Sequence, residues 1–101
     1  MGFLNGKVAV VTGATKGIGR AIAQALALEG AHVVICGRDE TGTQAAVAEI
    51  SAAPGVEVRG RACDVRDRGQ VAALFALAEA EFGGIDVVIN NACLLYTSRC
   101  V

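Results

Sequence analysis

Aromatic side chains are scarce in this 101-residue chain: they make up 4% of it, with one tyrosine and no tryptophan. Since 53% of the residues are hydrophobic, the core must be Val, Ile, Leu and Ala, as in parallel sheets covered by helices. An excess charge of either sign is missing too. Nine basic and ten acidic residues are interspersed for a formal net charge of −1, which leaves no basic stripe for nucleic acid and no polybasic patch for a membrane. Cysteines stand at 36, 63, 93 and 100 without a CxxC pair, and His32 is the single histidine, so the spacing offers no metal site. Cys36 and Cys63 each close an apolar run, where a free thiol acts as a small buried hydrophobe. Reduced thiols suit a cytoplasmic protein. No apolar run reaches membrane-spanning length and no signal peptide is visible. Gly6 occupies the position where a myristoylation signal wants Ser or Thr.

The length suits one small domain, which hides roughly two-thirds of its unfolded surface. Along the chain, strands and helices alternate. "KVAVVT" (7–12) is a short β-branched run that reads as a buried strand ending at Gly13. "GIGRAIAQALALEG" follows, with Ile18, Ile22, Ala25, Leu26 and Glu29 at helical spacing and Gly30 as the stop. "HVVIC" is a second strand. Asp39 to Ala52 is a helix with Ala46, Val47 and Ile50 on its inner face, weakened in its first turn by Gly42. "PGVEVRGRAC" gives a turn and a third strand. Asp67 and Gln70 form a capping-box-like start to a helix marked by Val71, Leu74, Leu77, Ala78 and Phe82, and stopped by Gly83-Gly84. "IDVVIN" is the fourth strand. The fold class is α/β, βαβαβαβ: the N-terminal half of a doubly wound Rossmann parallel sheet with strand order 3-2-1-4. Its switch point lies between strands one and four, so a ligand is expected beyond Thr12 and Asn90.

"VTGATKGIGRA" fills the first strand-to-helix turn. Its glycines at 13, 17 and 19 match neither G-x-G-x-x-G nor a P-loop, yet the physics is shared. Gly13 turns the backbone off the strand, and Gly17 and Gly19 allow close approach to a pyrophosphate and close helix packing. The helix N-terminus at Ile18 to Arg20 then turns its N–H groups toward the phosphates. "CDV" follows the third strand at 63–65 and "NNA" the fourth at 90–92. Together these three motifs resemble the short-chain dehydrogenase/reductase family, over Gly6 to Ala92.

The resemblance implies an oxidoreductase that moves a hydride between a nicotinamide cofactor and a carbonyl or secondary alcohol, and it assigns positions. Gly13, Thr15, Lys16, Gly17, Ile18 and Gly19 would line the adenosine ribose and pyrophosphate. Asp64 would accept from the adenine amino group with the Val65 backbone beside it. Asn91 and Ala92 would lie near the nicotinamide-side ribose, and Asn90 would brace the turn. Charge decides the cofactor. Where an NAD site needs a carboxylate, the second strand ends in Gly37 followed by Arg38, whose guanidinium can grip a 2′-phosphate. Lys16 adds a second positive charge. NADP is therefore expected over NAD, with Asp39 as the residue that would serve a ribose in the opposite case.

The family's catalytic Ser and Tyr-x-x-x-Lys have no counterpart in the sequence. Tyr96 is followed four residues later by Cys100, so no cation lowers its phenol pKa, and no catalytic residue is assigned. The family's Gly after "NNA" is replaced by Cys93. One back-translation of residues 93–101 forms an inverted repeat closed by a stop codon, which resembles joined transposon-end adapter DNA. Residues 1–92 are thus expected to form a truncated dinucleotide-binding domain, inactive by itself, and 93–101 a non-native tail. The front half resembles 3-oxoacyl-carrier-protein reductases, so the parent would act on a small or carrier-bound carbonyl and form a homo-oligomer. Sugar, steroid and other alcohol dehydrogenases of the family share this half. The other readings are a non-catalytic nucleotide-binding fragment and a methyltransferase of similar fold, against which Gly37-Arg38 argues.

Overall fold

The computed structural model describes residues 4–50 and 55–91. Ala92 and the tail 93–101, read above as the lip of the cofactor site and a non-native extension, lie outside the described residues.

Four parallel strands form one sheet in the order β3-β2-β1-β4. β1 (Val8–Val11) and β2 (His32–Gly37) are central, and nearly every residue in them is buried. That is what unbroken β-branched runs without polar alternation require, since both faces must be covered. β3 (Val58–Ala62) and β4 (Val87–Ile89) flank them, with Val10 opposite Val34 and Val88, and Ile35 opposite Gly60. The strand order and alternation are those expected from the sequence.

Alternate residues feed two cores. Val11, Val33 and Ile35 pack with Ala23, Ala27, Ala46 and Ile50 under α1 (Gly17–Leu28) and α2 (Glu40–Glu49). Val8, Val10, Val34 and Cys36 pack on the other face with Leu74 and Ala78 of α3 (Arg68–Phe82). Each fully buried Val, Ile or Leu contributes roughly 1.5–3 kcal/mol. At the edge, β4 leaves Val88 about half exposed, at 48%.

The helices differ from the sequence expectation in informative ways. The face that α1 buries is Gly19, Ala23 and Ala27, while Ile22 and Leu26 are only partly buried, Ala25 is exposed, and Ile18 is 69% exposed. At its start the helix lies against the first turn too closely for any side chain: a Cβ on Gly19 would fall closer than 3.0 Å to the Gly13 carbonyl. α2 stops at Glu49, with Ile50 already extended, instead of running to Ala52. Its buried face includes Thr43 as well as Ala46. α3 starts and stops as expected. Asp67 accepts from the N–H groups of Gly69 and Gln70, and Gly83 ends the helix at φ 85° in the left-handed region.

His32 has a structural role. Its Nδ1 accepts from the Glu57 N–H at 3.1 Å, and its ring stacks on Phe82 with centroids 4.6 Å apart.

The C-terminal ends of the strands are tied into a rim. Ala14 N–H donates to the Cys36 carbonyl at 3.1 Å, Cys63 N–H to that of Gly37 at 2.8 Å, and Thr12 N–H to that of Ile89 at 3.0 Å. Thr12 Oγ1 donates to Asn90 Oδ1 at 2.9 Å. The rim holds the turns that follow β1, β2, β3 and β4 on one side of the molecule.

Candidate functional site

A groove of about 690 Å³ opens across that rim. Its first wall is the glycine turn. Gly13 at φ 62° and Gly17 at φ 65° take left-handed conformations that a side chain disfavours. Between them, Thr15 and Lys16 line the groove, with Gly17 and Ile18 opening α1. Lys16 stands at the N-cap of α1 in extended conformation and makes no side-chain cap, and the first turn holds no acidic residue. The first N–H groups of the helix and its positive end are therefore offered to the groove without a carboxylate in front of them.

Gly19 lies beneath the groove and does not line it. Asn91 Nδ2 donates to the Gly13 carbonyl at 3.0 Å, and a Cβ on Gly19 would stand 2.5 Å from that same nitrogen. Asn91, 4% exposed, thus clips the turn after β4 to the turn after β1.

Arg38 and Asp39 form the second wall, just past β2. Both are exposed. The Asp39 carboxylate is committed to capping α2: Oδ2 accepts from the Gly42 N–H at 2.8 Å. The missing side chain of Gly42, a weakness by helix propensity, leaves room for that carboxylate, since a Cβ there would lie 3.0 Å from Asp39 Oδ1. Gly37 sits at the strand end, and its bare Cα faces Thr15 and the wholly buried Thr43.

Asp64, Val65 and Arg66 close the third wall. Arg66 grips Asp64: its backbone N–H and Nε donate to Oδ1 at 2.9 and 3.1 Å, and Nη2 donates to Oδ2 at 3.1 Å. Those bonds hold the Asp64 carboxyl below its ordinary pKa, with a smaller contribution from the charge of Arg38. The Asp64 N–H itself donates to Gln70 Oε1 at 2.8 Å, which fixes the turn to α3.

Cys36 and Cys63 form the floor. Both are free and buried. Burial pushes the Cys36 thiol up to about 11, only partly offset by a bond from the Gly13 backbone, and burial raises Cys63 as well. Thiols held neutral in this way are poor nucleophiles, in keeping with the structural role expected of them.

The groove thus gathers Gly13, Thr15, Lys16, Gly17, Ile18, Arg38, Asp64, Val65 and Asn91 from the sequence expectation. Gly19 acts from below, and Ala92 lies outside the described residues. Sequence reasoning missed Arg66, whose only signal was a guanidinium two residues beyond Asp64 in a turn. It also missed the two thiols as the groove floor.

The family model described as short chain dehydrogenase matches residues 7–100. A putative ketoacyl reductase of Streptomyces coelicolor is 45% identical over 92 residues, covering 91% of this chain and 35% of that protein. A 3beta-hydroxysteroid dehydrogenase of Mediterraneibacter gnavus is 44% identical over 101 residues, covering 100% of this chain and 36% of that protein. Among solved structures, actinorhodin polyketide ketoreductase with NADPH superposes with a TM-score of 0.77 at 45% identity, over 84% of this chain and 32% of that one. The chain spans about a third of the length of the curated relatives it matches. With its parallel sheet, glycine turn and rim groove, the chain belongs to the short-chain dehydrogenase family.

Proposed function

We propose that the groove seats NADP in preference to NAD, and that the whole protein uses it to interconvert a carbonyl and a secondary alcohol, with a 3-oxoacyl group on an acyl carrier as substrate. The observation that carries the cofactor reading is the charge balance around the groove. Asp39 caps α2 and Asp64 is gripped by Arg66, and Lys16 and Arg38 bring two positive charges to the same groove beside an uncapped helix end. Such a donor set fits phosphate oxygens. The acyl substrate rests on the ketoacyl reductases among the relatives and on the ketoreductase neighbour solved with NADPH.

In this reading each residue has a task. The N–H groups at Gly17 and Ile18 hold the pyrophosphate, and Arg38 takes the 2′-phosphate with Lys16 adding a second positive charge to it. Asp64 accepts from the adenine amino group with the Val65 backbone beside it, while Thr15 and Ile18 line the adenosine side. Asn91 keeps the Gly13 turn in register with the end of β4. The bound cofactor supplies the hydride; the protein supplies position and exclusion of water.

A second reading applies to the 101-residue chain taken alone: a dinucleotide-binding module without turnover. It rests on Tyr96, the only tyrosine, which has Cys100 rather than Lys four residues on. Calorimetric titration with NADP and NAD tests the proposal. The unaltered chain is expected to bind NADP at least about tenfold tighter, the scale of one charge-assisted contact. Arg38→Asp erases that preference. Equal or tighter binding of NAD by the unaltered chain would overturn it. Loss of NADPH absorbance on adding a 3-oxoacyl thioester to the 101-residue chain would rule out the non-catalytic reading.

A further inference from the structure

Arg66 does more to Asp64 than balance its charge. An ionised carboxylate offers about four acceptor directions, shared between its oxygens. Among the described residues, Arg66 fills three of these on Asp64. Its backbone N–H and Nε both donate to Oδ1, at 2.9 and 3.1 Å, and Nη2 donates to Oδ2 at 3.1 Å. Oδ1 is thereby saturated, and the direction left over is on Oδ2. The planar fork fixes the plane of the carboxylate, and the backbone bond fixes it to the turn. The Asp64 main chain is pinned as well, its N–H on Gln70 Oε1 at 2.8 Å and its carbonyl on the Asp67 N–H at 2.9 Å. The side chain is nevertheless 42% exposed at the third wall of the groove, within reach of a ligand.

We propose that Arg66 is a positioning residue: by filling the other directions it leaves Asp64 one fixed acceptor, on Oδ2, so that this wall takes a base edge presenting an amino N–H and rejects one presenting a carbonyl oxygen. The inference rests on the reading of Asp64 as the acceptor for the adenine amino group and deepens it. An amino N–H meets a lone pair already held in place and loses little in ordering it. A carbonyl oxygen at the same point meets that lone pair and is repelled, because the gripped carboxylate cannot turn aside. Without the fork the charge of Asp64 is the same, but its oxygens turn, and both effects fade. The selection belongs to Arg66 acting through Asp64.

Calorimetric titration with NADP and with its deaminated form, in which hypoxanthine replaces adenine, reads the selection as a ratio of affinities. The unaltered chain is expected to bind NADP at least about tenfold tighter than the deaminated form, the scale of one hydrogen bond to a charged group. Arg66→Lys keeps the positive charge and gives up the planar fork. It is expected to bring the two affinities within about threefold of each other, chiefly by weakening NADP, while its retained affinity for the deaminated form shows that it is folded. Asp64→Asn is expected to lose the preference as well, since its amide can donate to the carbonyl oxygen of hypoxanthine. An unaltered chain that binds neither dinucleotide, or both equally, overturns the base reading and this inference with it, as does a preference unmoved in Asp64→Asn. A preference kept in full by Arg66→Lys overturns the inference alone, including the case in which both ligands weaken in equal proportion, the mark of a purely structural role.

Discussion

The three helices begin in the same way, each after a strand and a turn on the same rim, but they satisfy their first N–H groups differently. α2 and α3 are each closed by a carboxylate: Asp39 accepts from Gly42, and Asp67 from Gly69 and Gln70. α1 has Lys16 at the equivalent point, which has no acceptor to offer and makes no cap. Two helix ends are completed from within, and one is left for something from outside. The difference teaches that two helix starts beside one groove can differ: Asp39 closes that of α2 from within, while that of α1, at Lys16, stays open. It also relates stability to function, since an open helix end costs about 1 kcal/mol against a capped one.

Breaking the close packing that holds the open end should have the largest effect. Gly19→Ala places a methyl against the Gly13 carbonyl and the Asn91 amide, neither of which can move without opening the turn. A loss of about 3 kcal/mol in urea denaturation is expected, together with loss of NADP binding.

The open end also differs in what lies under it. The Gly13 turn rests on a neutral thiol, whose pKa is raised by burial from the ordinary 9.0 to about 11. Below pH 9 both folded and unfolded forms keep that proton and the stabilisation is complete. As pH rises from 9 to 11 the unfolded form loses the proton first, so stability falls, by an amount of order 2 kcal/mol. Urea midpoints measured across this range should decline, and Cys36→Ala should flatten the decline. The smallest effect belongs to a capped end. Asp67→Ala is expected to cost about 1 kcal/mol and to leave NADP affinity unchanged, as read by denaturation and calorimetry side by side.

Much of this was legible in the sequence because the strongest signals were local. β-branched runs bounded by glycines fix the strands, and their alternation with helices fixes the order 3-2-1-4. The glycine turn and Arg38 were legible because backbone approach and charge favour those residue types at strand ends, whereas Asp64 and Asn91 were reached only through the family resemblance. The inner face of α1 was not. Hydrophobicity points to Ile18, Ile22 and Leu26, but the buried face is Gly19, Ala23 and Ala27, and at Gly19 the Gly13 carbonyl leaves no room for a Cβ. Periodicity cannot see a distance between two segments. Arg66 escaped for a similar reason, since a guanidinium in an exposed turn reads as a solvated charge until its three bonds to Asp64 are seen. The commitment of Asp39 to a cap shows only in the bond it accepts from the Gly42 N–H, at a residue that propensity alone marks as a defect.

The central claim is that α1 lacks a cap because its N-terminus is the seat of a phosphate. Lys16→Asp tests it by giving α1 the same kind of start as α2 and α3. Stability and NADP affinity are measured on the same preparation, by urea denaturation and calorimetric titration. The account predicts opposite signs: a chain more stable by about 1 kcal/mol and an affinity for NADP reduced at least about tenfold. A chain that gains the cap's stability and binds NADP as before would contradict it.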